Sequence, residues 1–183
     1  IKFYSAGSSE CFGNTNSLPA DENTTFNPCS PYGISKASSY WLVKSFRSTY
    51  QQYACTGILF NHESPLRPKR FVTQKIVQNV LKIKSGCENK LYLGNLDTKR
   101  DWGWAPEYVE AMWLMLQQEQ LEEYVIATGK TSSVRDFVNF CCAHLGIDII
   151  WDGEGESEKG YDRKTNKLII EVNKDYFRPA EVD

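Results

Sequence analysis

Tyr32 and Lys36 stand four residues apart in SPYGISKASSYW, residues 30–41. On a helix that spacing puts a phenol and an ammonium on one face. A free phenol is a poor base near neutrality, and a neighbouring ammonium favours its ionised form. The pair is therefore suited to taking a proton from an alcohol, although so short a pattern is also met by incidental surface pairs. A second group lies in GSSECFG, residues 7–13, directly after a strand-like segment. Ser8 offers a hydroxyl and Glu10 a carboxylate at the kind of strand end where open parallel sheets form their sites. The same residue types also populate ordinary turns. A third concentration is ILFNHESPLRPKRFVTQK, where Asn61, His62, Glu63 and Arg67 follow a strand end and Lys69, Arg70 and Lys75 come soon after. Cations and an amide gathered there suit a phosphorylated ligand, and a solvated loop would look alike. Arg100 in DTKRDWGW and Arg178 and Glu181 in YFRPAEV add arginine forks matched to diphosphate and a carboxylate able to accept from ribose hydroxyls.

These residues need elements to hold them. KFYSA, residues 2–6, reads as a strand ending in a small-residue turn. Residues 14–30 are polar, punctuated by Pro19 and Pro28, and read as a loop. Ser30 is a suitable helix cap and Pro31 suits a first turn. The apolar spacing of Ile34, Ala37, Trp41, Leu42 and Phe46 then predicts a helix to about Tyr50. CTGILF, residues 55–60, has the continuous apolar character of a buried parallel strand. Helices are expected over 71–86, closed by Gly86, over 105–118, and from a Ser133-x-x-Asp136 capping pattern to about Leu145. Strands are expected at 91–94, 124–129, IDIIW and KLIIEV, with DGEGESEKGYDRKTN between the last two as an exposed hairpin or mobile loop. Strands alternating with helices imply an α/β protein with a largely parallel sheet.

Composition narrows the function. A net charge of −2 with both signs dispersed argues against a nucleic-acid or membrane surface built on bulk charge. The six cysteines include no CxxC pair, and His62 and His144 are the only histidines, so no structural zinc site is expected. Reduced thiols in a cytoplasmic protein are the expectation. No apolar run approaches the ~20 residues of a membrane span, and no signal peptide is read.

SSECFG, SPYGISK, GILFNHESP, FVTQKI, LYLGNLDTKRDWG, EAMWLMLQ, VIATG and YFRPAEV together resemble the GDP-mannose 4,6-dehydratases, a family of extended short-chain dehydrogenases/reductases. The resemblance covers nearly the whole chain. It implies a partial Rossmann-type parallel sheet with helices, and a smaller C-terminal substrate-binding lobe. Residues 1–62 would be the later part of the NAD(P)-binding domain, with the catalytic residues. Residues 63–183 would be mainly the GDP-sugar lobe, with about 100–128 returning to the Rossmann sheet. Internal hydride transfer through NADP would convert GDP-mannose to its 4-keto-6-deoxy product with loss of water, feeding GDP-fucose and other deoxyhexoses. Tyr32 matches the base for the 4-hydroxyl, and Lys36 the residue that tunes it and holds the nicotinamide ribose. Ser8 matches a hydroxyl on the same sugar oxygen, and Glu10 the base for the carbon-5 proton. His62 and Arg67 match cofactor contacts. Asn61, Val72, Lys75, Arg100, Arg178 and Glu181 match the GDP-sugar site. The complete enzyme would be a homo-oligomer.

A dinucleotide-binding sheet needs a glycine-rich first turn. The one close glycine pair, Gly153 and Gly155, sits among Glu154, Glu156 and Glu158, which would repel a phosphate. The chain opens on Ile1 in a strand-like run and is expected to be a fragment, lacking the glycine-rich part upstream and an end segment downstream. A catalytically inactive fragment keeping a GDP-sugar lobe, and another nucleotide-sugar epimerase or reductase, are the alternatives.

Overall fold

The computed structural model describes residues 1–15 and 19–177. The chain divides into two units, Ile1–Ser64 with Asp101–Thr131, and Pro65–Arg100 with the described part of Ser132–Glu181.

The first unit is built on three parallel strands, β1 (Phe3–Ala6), β2 (Ala54–Leu59) and, numbered in chain order, β6 (Tyr124–Ile126), in the order β1-β2-β6. All six residues of β2 are buried, Thr56 among them, in keeping with its mainly apolar sequence. Helix α1 (Pro31–Tyr50) packs on β2. Its buried stripe is Gly33, Ala37, Tyr40 and Val43, while Ile34, Trp41, Leu42 and Phe46 are exposed. The bulky apolar positions thus mark the helix but not its inner face, where Gly33 and Ala37 permit close approach. Phe12, Tyr40 and Ile58 form a buried cluster. Phe26 meets Phe12 and Tyr40 edge-on at 5.4 and 4.6 Å, tying the loop before α1 to the sheet. Two strands here were not anticipated. Residues 61–63, expected to leave the strand end as loop, form β3 (Asn61–Glu63), which pairs in parallel with β5 (Lys99–Trp104). Helix α3 (Ala105–Met115) follows β5 at once and stops short of residue 118.

The second unit carries α2 (Val72–Lys84), β4 (Leu91–Leu93), α4 (Val134–His144), β8 (Ile149–Asp152), β9 (Lys159–Asp162) and β10 (Lys167–Val172). A short strand, β7 (Thr131–Ser133), runs into α4. The sheet order is β4-β10-β9-β8, with β4 and β10 parallel and the other pairs antiparallel. Ile76 and Val80 of α2 and Val138 and Cys142 of α4 are fully buried where the two helices pack. Arg135 pairs with the buried Glu158 and, at 2.7 Å, with Asp97. The charged stretch expected as an exposed hairpin contains β9, an inner strand of this sheet. Gly160 explains why its pattern was hidden. A Cβ there would stand 2.8 Å from Ile149 Cδ1, so the contact that buries the strand uses a residue without a side chain.

Ser133 and Asp136 form the anticipated capping box: Ser133 Oγ accepts from Asp136 N, and Asp136 accepts from Ser133 N. Hydrogen bonds from Ser133 hold the Asp136 carboxyl below its ordinary pKa. Its stabilising effect is therefore full above the ordinary carboxylate range and fades as pH falls through the lowered value. Because the group is exposed, Asp136→Asn should lose only roughly 0.5–1 kcal/mol at neutral pH. Paired thermal melts should show that gap closing in acid. A gap independent of pH would count against the ionised cap.

Candidate active site

β1 ends at Ala6, and Gly7 N donates to Gly57 O of β2 at 2.8 Å, holding the turn at the sheet's carboxyl end. Ser8 Oγ then accepts from Glu10 N at 3.3 Å, capping a short 3-10 turn, Ser9–Cys11. Gly13, at φ +62°, lets the chain press against residue 27, since a Cβ there would lie 1.9 Å from Asn27 O. Asn27 N donates to Cys11 O at 3.0 Å. The thiol of Cys11 is buried and its pKa pushed up by that burial, which marks it as packing rather than nucleophile.

This turn lies against the first turn of α1. A Cβ on Gly33 would come within 2.6 Å of Glu10 O, so the glycine admits the Glu10 backbone onto the helix. Ser30 caps α1 by accepting from Gly33 N at 3.0 Å and donates its own hydrogen to Glu10 Oε2 at 2.8 Å. Tyr32 is in the same helical turn and is 51% exposed, which leaves its phenol open to a substrate. One turn on, Lys36 Nζ donates to Ala6 O at 2.9 Å and lies 5.6 Å from the centre of the Tyr32 ring. Ser8, Glu10, Tyr32 and Lys36 thus sit on two touching segments at the carboxyl end of β1. A hydroxyl, a carboxylate, a phenol and an ammonium in one accessible place can hold an alcohol and move protons at two positions.

Asn61 and His62 occupy β3. His62 Nδ1 is 3.0 Å from Phe60 O, and the ring stacks on Tyr108 of α3 at 4.8 Å. Because the Phe60 carbonyl can only accept, Nδ1 carries the hydrogen of this contact. Burial pushes the Tyr108 phenol up to about 12. Gly103, opposite His62 in the β3–β5 pair, makes room for the Tyr108 ring, because a Cβ would overlap it. Next to it, the buried Asp101 accepts from Thr128 Oγ1 at 2.9 Å, Thr128 N at 3.0 Å and Gly129 N at 2.8 Å, fastening the turn after β6.

In the second unit, Arg67 lays its guanidinium on Phe71 at 3.6 Å, and Val72 opens α2. Lys75 stands 3.4 Å above the Tyr176 ring, and burial pushes its ammonium pKa down. Arg100 donates to Lys99 O at 2.6 Å. Arg178 and Glu181 lie outside the described residues. Among the described residues no three His, Cys, Asp or Glu side chains gather as a metal site. Ser30 as a partner of Glu10, Gly33, Asp101 and Tyr108 are absent from the sequence-derived site. An SPYG run with glycine in a helix's first turn was the available signal for two of them.

The family model described as GDP-mannose 4,6 dehydratase matches residues 1–183. The chain belongs to the GDP-mannose 4,6-dehydratase family. It is 51% identical to the GDP-mannose 4,6 dehydratase of Dictyostelium discoideum, over all of this chain and 51% of that protein. It is 50% identical to that of Homo sapiens, over all of this chain and 49% of that protein. The chain thus spans about half the length of these relatives. Among solved structures, RMD from Pseudomonas aeruginosa complexed with NADPH is similar at a TM-score of 0.78 and 19% identity, over 94% of this chain and 54% of that one. A dTDP-glucose 4,6-dehydratase from Bacillus anthracis in complex with NAD gives 0.76 and 23%, over 94% and 49%. At those identities the likeness establishes the fold alone.

Gly33→Ala separates helix propensity from contact. Alanine favours a helix interior by about 1 kcal/mol, yet its Cβ would meet the Glu10 carbonyl. The overpacking should prevail, with a net loss of roughly 1–3 kcal/mol in urea unfolding. A stabilised variant would mean that α1 and the Glu10 turn are not in contact.

Proposed function

We propose that the polypeptide carrying this chain is a GDP-mannose 4,6-dehydratase. The observation that carries this reading is the Glu10 carboxylate tied to the helical turn that bears Tyr32. A simple epimerase or reductase has no use for a carbon-5 base at that place. The first unit is the later part of the NAD(P)-binding domain (1–62, with about 100–128). The second is mainly the GDP-sugar lobe within 63–183.

The donor set at the end of β1 fits a nicotinamide ribose, because Lys36 is anchored on Ala6 O with one face toward the Tyr32 ring. NADP bound there would supply reversible hydride storage between carbon 4 and carbon 6. Tyr32 takes the proton of the 4-hydroxyl, and Ser8 holds the same oxygen. Lys36 is the cation beside that phenol and would hold the nicotinamide ribose. The 4-keto group acidifies carbon 5, and Glu10 takes that proton as the carbon-6 hydroxyl leaves. His62 and Arg67 would help hold the cofactor. Asn61, Val72, Lys75, Arg100, Arg178 and Glu181 bind the GDP-sugar, the cations through charge-assisted bonds to phosphate. The enzyme acts as a cytoplasmic homo-oligomer in GDP-fucose and deoxyhexose formation.

In the full polypeptide, given GDP-mannose and NADP, Tyr32→Phe should lower turnover by about a hundredfold or more and form no reduced cofactor. Glu10→Gln should still oxidise carbon 4 and stall before elimination, so nicotinamide absorbance accumulates. Wild-type turnover by Tyr32→Phe would overturn the assignment.

A further inference from the structure

Glu10 is exposed, and an unrestrained surface carboxylate samples several rotamers. Here it does not stand alone. Ser30 has a single hydroxyl hydrogen, and its geometry gives that hydrogen to Glu10 Oε2 while the oxygen accepts from Gly33 N. The donation from Gly33 polarises the hydroxyl and makes it a stronger donor to the carboxylate. The backbone of Glu10 is meanwhile seated against Gly33 of the same turn. Two attachments therefore fix the carboxylate to the helix that carries Tyr32, one through the Glu10 main chain and one through its side chain.

We infer that Ser30 is a positioning residue for the elimination step. Resting on the dehydratase reading of Glu10, it commits Oε2 and leaves Oε1 as the base. The carbon-5 proton passes to Oε1, and its electron pair forms the carbon-5–carbon-6 double bond. The carbon-6 hydroxyl departs with the proton from Oε1 as water. Throughout, Ser30 keeps its own hydrogen and holds the carboxyl group in place. Its effect therefore falls on carbon 5 and leaves the oxidation at carbon 4 to Tyr32.

The capping role of Ser30 must be separated from this one. Glycine is tolerated at an N-cap at small cost, aspartate caps well, and threonine caps and donates. Neither Ser30→Gly nor Ser30→Asp can donate to Glu10, whereas Ser30→Thr can. In the full polypeptide with GDP-mannose and NADP in deuterated water, mass spectrometry reads deuterium entry at carbon 5. Reduced-cofactor absorbance reads oxidation at carbon 4, and melting temperature reads the fold. Ser30→Gly and Ser30→Asp should slow carbon-5 exchange about tenfold or more, the scale of one lost hydrogen bond to a charged group. Carbon-4 oxidation should stay within about twofold, and Ser30→Thr should restore exchange. If glycine is too unstable to assay, the aspartate variant decides. Equal exchange in wild type and Ser30→Asp, or equal slowing of both steps, overturns the inference while leaving the dehydratase reading intact. No carbon-5 exchange in the wild type overturns both.

Discussion

Everything at the end of β1 depends on the seating of one backbone carbonyl. Glu10 O can lie against α1 only because position 33 has no side chain. That approach brings Ser30 within reach of the Glu10 carboxylate and sets the turn carrying Ser8 beside the turn carrying Tyr32. Lys36 closes the arrangement from the other direction, through its bond to Ala6 O. Strand, turn and helix are thus joined at three points around one patch of polar groups, each held by packing or by a hydrogen bond rather than by chance rotamer.

The same economy appears around His62. The ring is oriented by the Phe60 carbonyl on one edge and by the face of Tyr108 below. Tyr108 in turn occupies space that Gly103 leaves open. Asp101, two residues earlier, has its carboxylate fully engaged by the backbone and hydroxyl of 128–129. Its work is to fasten a turn, and a buried carboxylate so engaged is supported by donors that offset its desolvation. Asp101 of β5 looks chemical in sequence and serves as scaffolding.

Much of this was legible in the residue pattern, and the remainder fails for definable reasons. Ser30 and Pro31 announce α1, Ser133 and Asp136 announce α4, and Gly86 at φ +77° ends α2, because caps and stops are local chemistry. The mainly apolar run of β2 declares its burial. β3, β5 and β9 are hidden because they are short or glycine-bearing and are formed by pairing with distant segments rather than by alternation. Grouping Ser8 and Glu10 with Tyr32 and Lys36 was within reach through the family resemblance. The Ser30–Glu10 bond was not, because nothing in a helix cap specifies what its hydroxyl does across 20 residues of chain.

The two units are interleaved along the chain, and this bears on how the polypeptide comes off the ribosome. β2 is complete at Leu59, but its partner β6 begins only at Tyr124. In the second unit, β4 at Leu91–Leu93 waits for β10 at Lys167–Val172. Parallel pairings of such separation form late and slowly. At synthesis rates of about 5–20 residues per second, one edge of a mainly apolar strand stays open for several seconds while the intervening elements emerge. Neither unit can finish on its own early segment, so the nascent chain must carry two half-built sheets at once. An open apolar strand edge during translation is the exposure this topology imposes on the nascent chain.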